Sequence, residues 1–147
     1  MDKNIFDLSN RIGIITGGAG LLAVEHAKAL HDYGCTIIIS DINEETCEKN
    51  CKQLNKEGYD RVISYKCDVT SKESWQELLS MAMDRYGKVD ILVNNAGFTN
   101  QSRSANFDAD FEDFPLEDWN GIMNVNLTGS YLGCQVIGKQ MLNQGKG

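Results

Sequence analysis

Apolar residues in this chain form short unbroken runs, separated by longer stretches in which they recur every three or four positions. The two patterns alternate almost without interruption. Runs of the first kind cover residues 11–16, 35–40, 61–67 and 90–93, and in the second of them Ile37, Ile38 and Ile39 follow one another directly. Such a run suits a strand buried on both faces of a parallel sheet. Stretches with helical spacing cover about residues 20–33 and 43–57, and a third begins near residue 70; they stop at Gly34, Gly58 and Gly87. Asn43 is placed as an N-cap, and Thr70-Ser71-Lys72-Glu73 reads as a capping box. A loop is expected over residues 94–114. Pro115 then stands where a first helical residue belongs, and a last helix is expected over 116 to about 142. Alternating strands and helices of this kind predict an α/β fold, with right-handed crossovers building a parallel sheet covered by helices on both faces. No internal repeat or linker divides the 147 residues, so a single domain is expected.

The first strand runs straight into Gly17-Gly18-Ala19-Gly20, and Leu21, Leu22, Ala23, Ala27 and Leu30 follow at helical spacing. A strand, a tight glycine turn and a helix N-terminus together make an anion site, because backbone N–H groups and the helix dipole both favour a phosphate there. Gly18-Ala19-Gly20-Leu21-Leu22-Ala23 fits G-x-G-x-x-[GA], which points to a Rossmann-like, doubly wound sheet in strand order 3-2-1-4 over the four strands encoded. Asp41 closes the second strand, 21 residues beyond Gly20. An acid there accepts hydrogen bonds from the adenosine ribose hydroxyls and repels a 2′-phosphate, so the expected cofactor is NAD rather than NADP. The competing role for Asp41 is to cap the helix beside Asn43. The same turn would also serve an S-adenosylmethionine enzyme. A P-loop is excluded, since no Gly-Lys-[Ser/Thr] follows the glycines.

Charge narrows the partners. The formal net charge is −7, which disfavours nucleic acid and anionic membrane surfaces as partners. No apolar run approaches the roughly 20 residues of a membrane helix, and the first residues lack the apolar segment of a signal peptide. A cytoplasmic location with reduced thiols is expected for the five cysteines. Cys47 and Cys51 share a helix face, but two more ligands would be needed for zinc, and His26 and His31 face each other poorly; no metal is expected. The long loop carries Phe98, Phe107, Phe111 and Phe114 among Asp108, Asp110, Glu112 and Asp113, and some of these rings are expected to pack on the domain or on a partner subunit.

Cys67-Asp68-Val69-Thr70 ends the third strand and Asn94-Asn95-Ala96-Gly97 the fourth. Together with Thr16-Gly17 and Asn126, these segments resemble the short-chain dehydrogenase/reductase family over nearly the whole chain. The resemblance argues against the methyltransferase alternative. It implies that Gly17, Gly20 and Leu22 lie along the cofactor diphosphate, Asp41 holds the adenosine ribose, and Asp68 and Val69 border the adenine. Asn95, Ala96 and Gly97 would line the path toward nicotinamide, and Asn94 would tie neighbouring strands together. Asn126, within Val125-Asn126-Leu127-Thr128-Gly129, matches the helix asparagine that supports a water-linked proton relay to the catalytic lysine in such enzymes. Leu21 and Ala23 depart from the family pattern, standing where it usually has glycine. Gly18 to Leu22, with the phenylalanine-rich loop, resembles a subset associated with bacterial surface-sugar and flagellin-glycan pathways.

Hydride transfer in this family depends on a tyrosine, a lysine four residues later and an upstream serine. The lysine is needed because an unperturbed phenol, with a pKa of about 10, is a poor base at neutral pH. The residues four after Tyr33, Tyr59, Tyr65, Tyr86 and Tyr131 are Ile37, Ile63, Val69, Asp90 and Gln135. The sequence therefore reads as a single NAD-binding domain over residues 1–147, incomplete at its C-terminus, with the fourth strand on an open edge. Completed, it would be an oxidoreductase interconverting a hydroxyl and a carbonyl on a small molecule, in a homo-oligomer. The alternative is a short, non-catalytic protein of the same fold that binds nucleotide or a partner.

Overall fold

A computed structural model of the protein describes residues 5–98 and 109–147. Four strands, β1 (Ile12–Thr16), β2 (Thr36–Asp41), β3 (Val62–Lys66) and β4 (Ile91–Val93), form one parallel sheet in the order β3-β2-β1-β4. Among the described residues the α-helices are α1 (Leu21–Asp32), α2 (Glu44–Lys56), α3 (Lys72–Tyr86), α4 (Leu116–Met123) and α5 (Ser130–Asn143). The expected class and strand order are both present.

The isoleucine run explains how the sheet takes helices on both sides. Side chains alternate faces along a strand, so Ile37 and Ile39 join Ile15 against Ala23 and Ala27 of α1 and Cys47, Cys51 and Leu54 of α2. Ile38 joins Ile12 and Ile14 on the opposite face, against Trp75, Leu78 and Ala82 of α3 and Val136 and Ile137 of α5. All three β2 isoleucines are fully buried.

Several boundaries differ from the expectation. α3 is capped by Ser71, whose Oγ accepts from the Ser74 N–H at 3.1 Å. The Thr70 hydroxyl instead donates to Asp68 Oδ1 at 2.7 Å, so it is not free to cap. Pro115 has extended backbone and precedes α4 as its cap rather than opening it. The last helix is interrupted: Asn124–Gly129 forms a π-helical turn between α4 and α5. Phe107 and Asp108 lie outside the described residues. Of the other loop rings, Phe98 lies against α4, its ring 3.7 Å from where a Gly121 Cβ would stand, whereas Phe111 is 93% exposed.

The N-terminal ends of β1 and β4 are pinned by Asp90, whose side chain is 1% exposed. Its Oδ1 accepts from Arg11 Nη1 at 2.8 Å, its Oδ2 accepts from the Ile12 N–H at 3.0 Å, and Lys88 Nζ stands 3.3 Å from Oδ2. The Asp90 N–H donates in turn to Ile12 O at 2.8 Å. Burial pushes this carboxyl up, but the Arg11, Ile12 and Lys88 contacts outweigh burial and hold it below the ordinary carboxylate value. A carboxyl with a depressed folded pKa stabilises the fold above its unfolded value of about 4, and the contribution is lost as pH falls through the folded value. Asp90→Asn is expected to lower stability by about 2–3 kcal/mol at pH 7. The gap between wild type and variant should narrow progressively as pH falls below about 4, as read by urea denaturation across that range.

Candidate functional site

The C-terminal ends of the strands converge on the glycine turn. Thr16, the last residue of β1, is buried, and its Oγ1 accepts from the Asn95 N–H at 3.0 Å and the Ala96 N–H at 2.9 Å. Asn95 Nδ2 donates back to Thr16 O at 2.8 Å. This knot draws the segment after β4 against Gly17. Gly17 has φ +74°, and a Cβ on it would stand 2.8 Å from Asn95 Nδ2 and 3.0 Å from Ala96 Cα. The turn is held from its other side by the Gly18 N–H, which donates to Ser40 O at 2.9 Å, and by Asn50 of α2, whose Nδ2 donates to Gly18 O at 2.9 Å. The Gly20 N–H donates to Gly17 O at 2.9 Å and the chain enters α1. α1 has no side-chain cap and no acid in its first turn, whereas Asn43 and Ser71 cap α2 and α3. The first amides of α1 are thus left for an anion, with a positive dipole end behind them.

Asp41 joins the turn to the next helix. Its Oδ2 accepts from the Ala19 N–H at 3.0 Å and its Oδ1 from the Asn43 N–H at 2.8 Å. The capping contact considered for Asp41 therefore exists, alongside a second contact that anchors the glycine turn. Asp68 Oδ1 accepts from both the Thr70 N–H at 2.9 Å and the Thr70 hydroxyl. Val69 O accepts from the Trp75 indole N–H at 3.0 Å. A cleft of about 370 Å³ opens between these groups. Gly17, Asp41, Asp68, Val69, Ala96 and Gly97 all line it, with Ile42, Cys67, Thr70, Phe98 and Val125 completing the wall.

The remaining expected site residues stand around the cleft. Gly20 and Leu22 lie at the head of α1, and Asn95 sits behind the wall in the Thr16 knot. Asn126, in the π turn, grips the backbone of Phe98: its Oδ1 accepts from the Phe98 N–H at 2.7 Å and its Nδ2 donates to Phe98 O at 3.2 Å. Among the described residues, the Asn94 side chain makes no hydrogen bond to a neighbouring strand. It reaches α5, where Nδ2 lies 3.5 Å from Cys134 Sγ, and a Cβ on Gly133 would stand 2.7 Å from its Oδ1. Asn95 performs the strand-tying instead, because it is the residue whose side chain turns back toward β1. Leu21 and Leu22 are 88% and 67% exposed, so only Ala23, Ala27 and partly Leu30 of the expected apolar stripe face the core. Leu21 is exposed, so leucine in place of glycine buries no bulk against the turn.

Asn50 is a site residue that the sequence motifs do not mark. Its signal in the sequence is a lone polar residue within the apolar stripe Cys47, Cys51 and Leu54. Burial pushes the Cys47 thiol up to about 12 and the Cys67 thiol up to about 11, so both are protonated walls rather than nucleophiles at neutral pH.

Residues 11–147 match the short chain dehydrogenase family. The chain belongs to that family. D-threitol dehydrogenase of Mycolicibacterium smegmatis is 33% identical over 144 residues, covering 97% of this chain and 52% of the relative. The crystal structure of gox2181 superposes with a TM-score of 0.85 at 35% identity, over 97% of this chain and 52% of that one. The crystal structure of NAD+-bound xylitol dehydrogenase does so with a TM-score of 0.82 at 28% identity, over 95% and 51%. The chain thus spans about half the length of each of these three relatives. As in those relatives, the sheet order carries a Rossmann-like fold.

Gly17→Ala should cost about 2–4 kcal/mol, combining the left-handed backbone penalty with the clash against Asn95 and Ala96. Chemical denaturation of wild type and variant reads this directly.

Proposed function

We propose that residues 1–147 are the nucleotide-binding domain of an NAD-dependent oxidoreductase that interconverts a hydroxyl and a carbonyl on a small polyol- or sugar-like substrate. The observation that carries the reading is Asp41, fixed at the rim of the cleft by the glycine turn on one oxygen and the α2 N-terminus on the other. Each carboxylate oxygen keeps a free lone pair for a ribose hydroxyl, and its charge opposes a 2′-phosphate. The uncapped start of α1 beside Gly17, Gly20 and Leu22 suits a diphosphate, and Asp68 and Val69 form the side of the cleft suited to adenine. Asn95, Ala96 and Gly97 would guide the nucleotide toward its reactive end. Bound there, NAD would supply a hydride acceptor. Asn126 would act by holding the loop at Phe98 and supporting the proton relay.

The names of D-threitol dehydrogenase and NAD+-bound xylitol dehydrogenase support both the substrate class and the cofactor. A homo-oligomer in the cytoplasm, without nucleic-acid or membrane partners, completes the reading. The net charge of −7 supports it, as does the lack, among the described residues, of a helix long and apolar enough to cross a membrane. The second reading, a non-catalytic protein that binds nucleotide or a partner, is favoured by one observation: no Tyr-x-x-x-Lys occurs in this sequence. A reading frame continuing past Gly147 into a serine and a Tyr-x-x-x-Lys would remove it.

Asp41→Ala should raise the Kd for NAD about tenfold or more while changing that for NADP by less than about threefold, by titration calorimetry. Equal weakening would mean that Asp41 serves only Ala19 and Asn43. The purified chain should show no NAD-linked oxidation of threitol or xylitol. Turnover that persisted in Asn126→Ala would overturn this account of the site.

A further inference from the structure

β3 forms one end of the sheet among the described residues, and part of its outer edge is open. In a parallel ladder alternate residues bond to the same neighbour. The Ile37 N–H donates to Arg61 O at 2.8 Å and the Cys67 N–H to Asp41 O at 3.0 Å, so the odd-numbered residues face β2. Val62, Ser64 and Lys66 therefore turn their backbone groups outward. α2 covers the first of these: Asn55 Nδ2 donates to Val62 O at 3.0 Å. No side chain among the described residues does the same for Ser64 or Lys66, whose N–H and C=O groups remain available for a further strand.

This open stretch runs along two adjoining hollows of about 470 and 560 Å³ that share Tyr65 and Glu77. Their walls are acidic. Glu44 and Glu48 stand on the α2 side, Glu77 and Asp84 on α3, and Asp68 at the end. The cations present are already engaged: Lys66 lies 3.9 Å from Glu44, and Arg85 lies over the Tyr86 ring. Glu48 is paired with Lys52 at 2.8 Å. Glu77 and Asp84 are exposed and have no ion pair among the described residues.

We propose that the Ser64–Lys66 edge is a docking strand for an extended segment of a partner protein that carries lysine or arginine at alternate positions. Backbone hydrogen bonds to Ser64 and Lys66 would set its register, as in other strand additions to exposed edges. Side chains of the added strand alternate between faces, so one set of cations would fall over Glu77 and Asp84. The intervening positions would pass Glu44 and Glu48, which are already partnered and call for polar rather than charged groups. The hollow meets the cleft at Asp68, which lines both, but Ser64 and Lys66 do not line the cleft, and the inference does not depend on the cofactor reading.

The test uses a fluorescein-labelled (Lys-Thr)4 peptide and the same peptide with every backbone nitrogen methylated, which keeps the charge but cannot pair as a strand. Fluorescence anisotropy at low salt should show the unmodified peptide binding at least tenfold more tightly. The Ser64 and Lys66 amides should exchange more slowly in its presence. Ser64→Pro, which removes an outward N–H but no ladder bond, should weaken binding about tenfold. The exposed double variant Glu77→Lys, Asp84→Lys should do likewise, and it keeps the test decisive if the proline variant fails to fold. Equal binding of the two peptides, no binding, or protection of other amides would overturn the proposal. So would a concentration-dependent dimer that Ser64→Pro abolishes, since the occupant would then be a second copy of this chain.

Discussion

The Thr16 hydroxyl joins the two halves of the site. β4 is three residues long and, among the described residues, pairs only with β1, so its ladder is too short to fix the segment beyond Val93. Two amides donating to Thr16 Oγ1, with Asn95 Nδ2 returning to Thr16 O, extend that pairing past the end of the strand. The wall formed by Ala96 and Gly97, and through Phe98 the Asn126 clamp, all hang from this knot. A buried hydroxyl that accepts two bonds and donates a third, here to Val93 O at 3.4 Å, is fully used; a valine of the same shape would leave two amides without a partner. The motif reading marks Thr16 beside Gly17, but its work lies across the sheet rather than at the phosphate.

Much of this arrangement is legible in the sequence. The apolar runs give the strands, and the glycine-terminated periods give the helices, because each signal is local and strong. The acid after β2 and the Asn-Asn-Ala-Gly segment give the cleft, since the fold brings the C-terminal ends of its strands together. The features that are not legible depend on partners distant in the chain. Thr70 and Ser71 are equally good caps until Asp68 takes the Thr70 hydroxyl. Asn94 and Asn95 are chemically identical, and only the pleat decides which one meets β1. Leu21 and Leu22 fit the helical period, but α1 turns them outward as it leaves the turn.

Charge is divided along the sheet. At the N-terminal ends, the Asp90 carboxylate is buried and compensated by Arg11, Lys88 and an amide. At the C-terminal ends, Asp41 and Asp68 accept only neutral donors among the described residues. The first arrangement holds the fold together, while the second leaves acceptor capacity facing a cleft. An acidic protein can still offer a place to an anion because the donors there are backbone amides at α1, whose positive end is independent of the side-chain total.

The π turn between α4 and α5 has a consequence for sequence length. Each residue of an α-helix advances it by about 100°, so the extra residue held in Asn124–Gly129 sets the rotation of everything beyond it. α5 is oriented so that Gly133 meets Trp75 and Asn94 while Val136 and Ile137 enter the core. Losing one residue from the turn would restore regular winding and swing that face away from the sheet, even if every remaining side chain were kept. In this segment the number of residues is as constrained as their identity, and length variation among related chains should fall elsewhere.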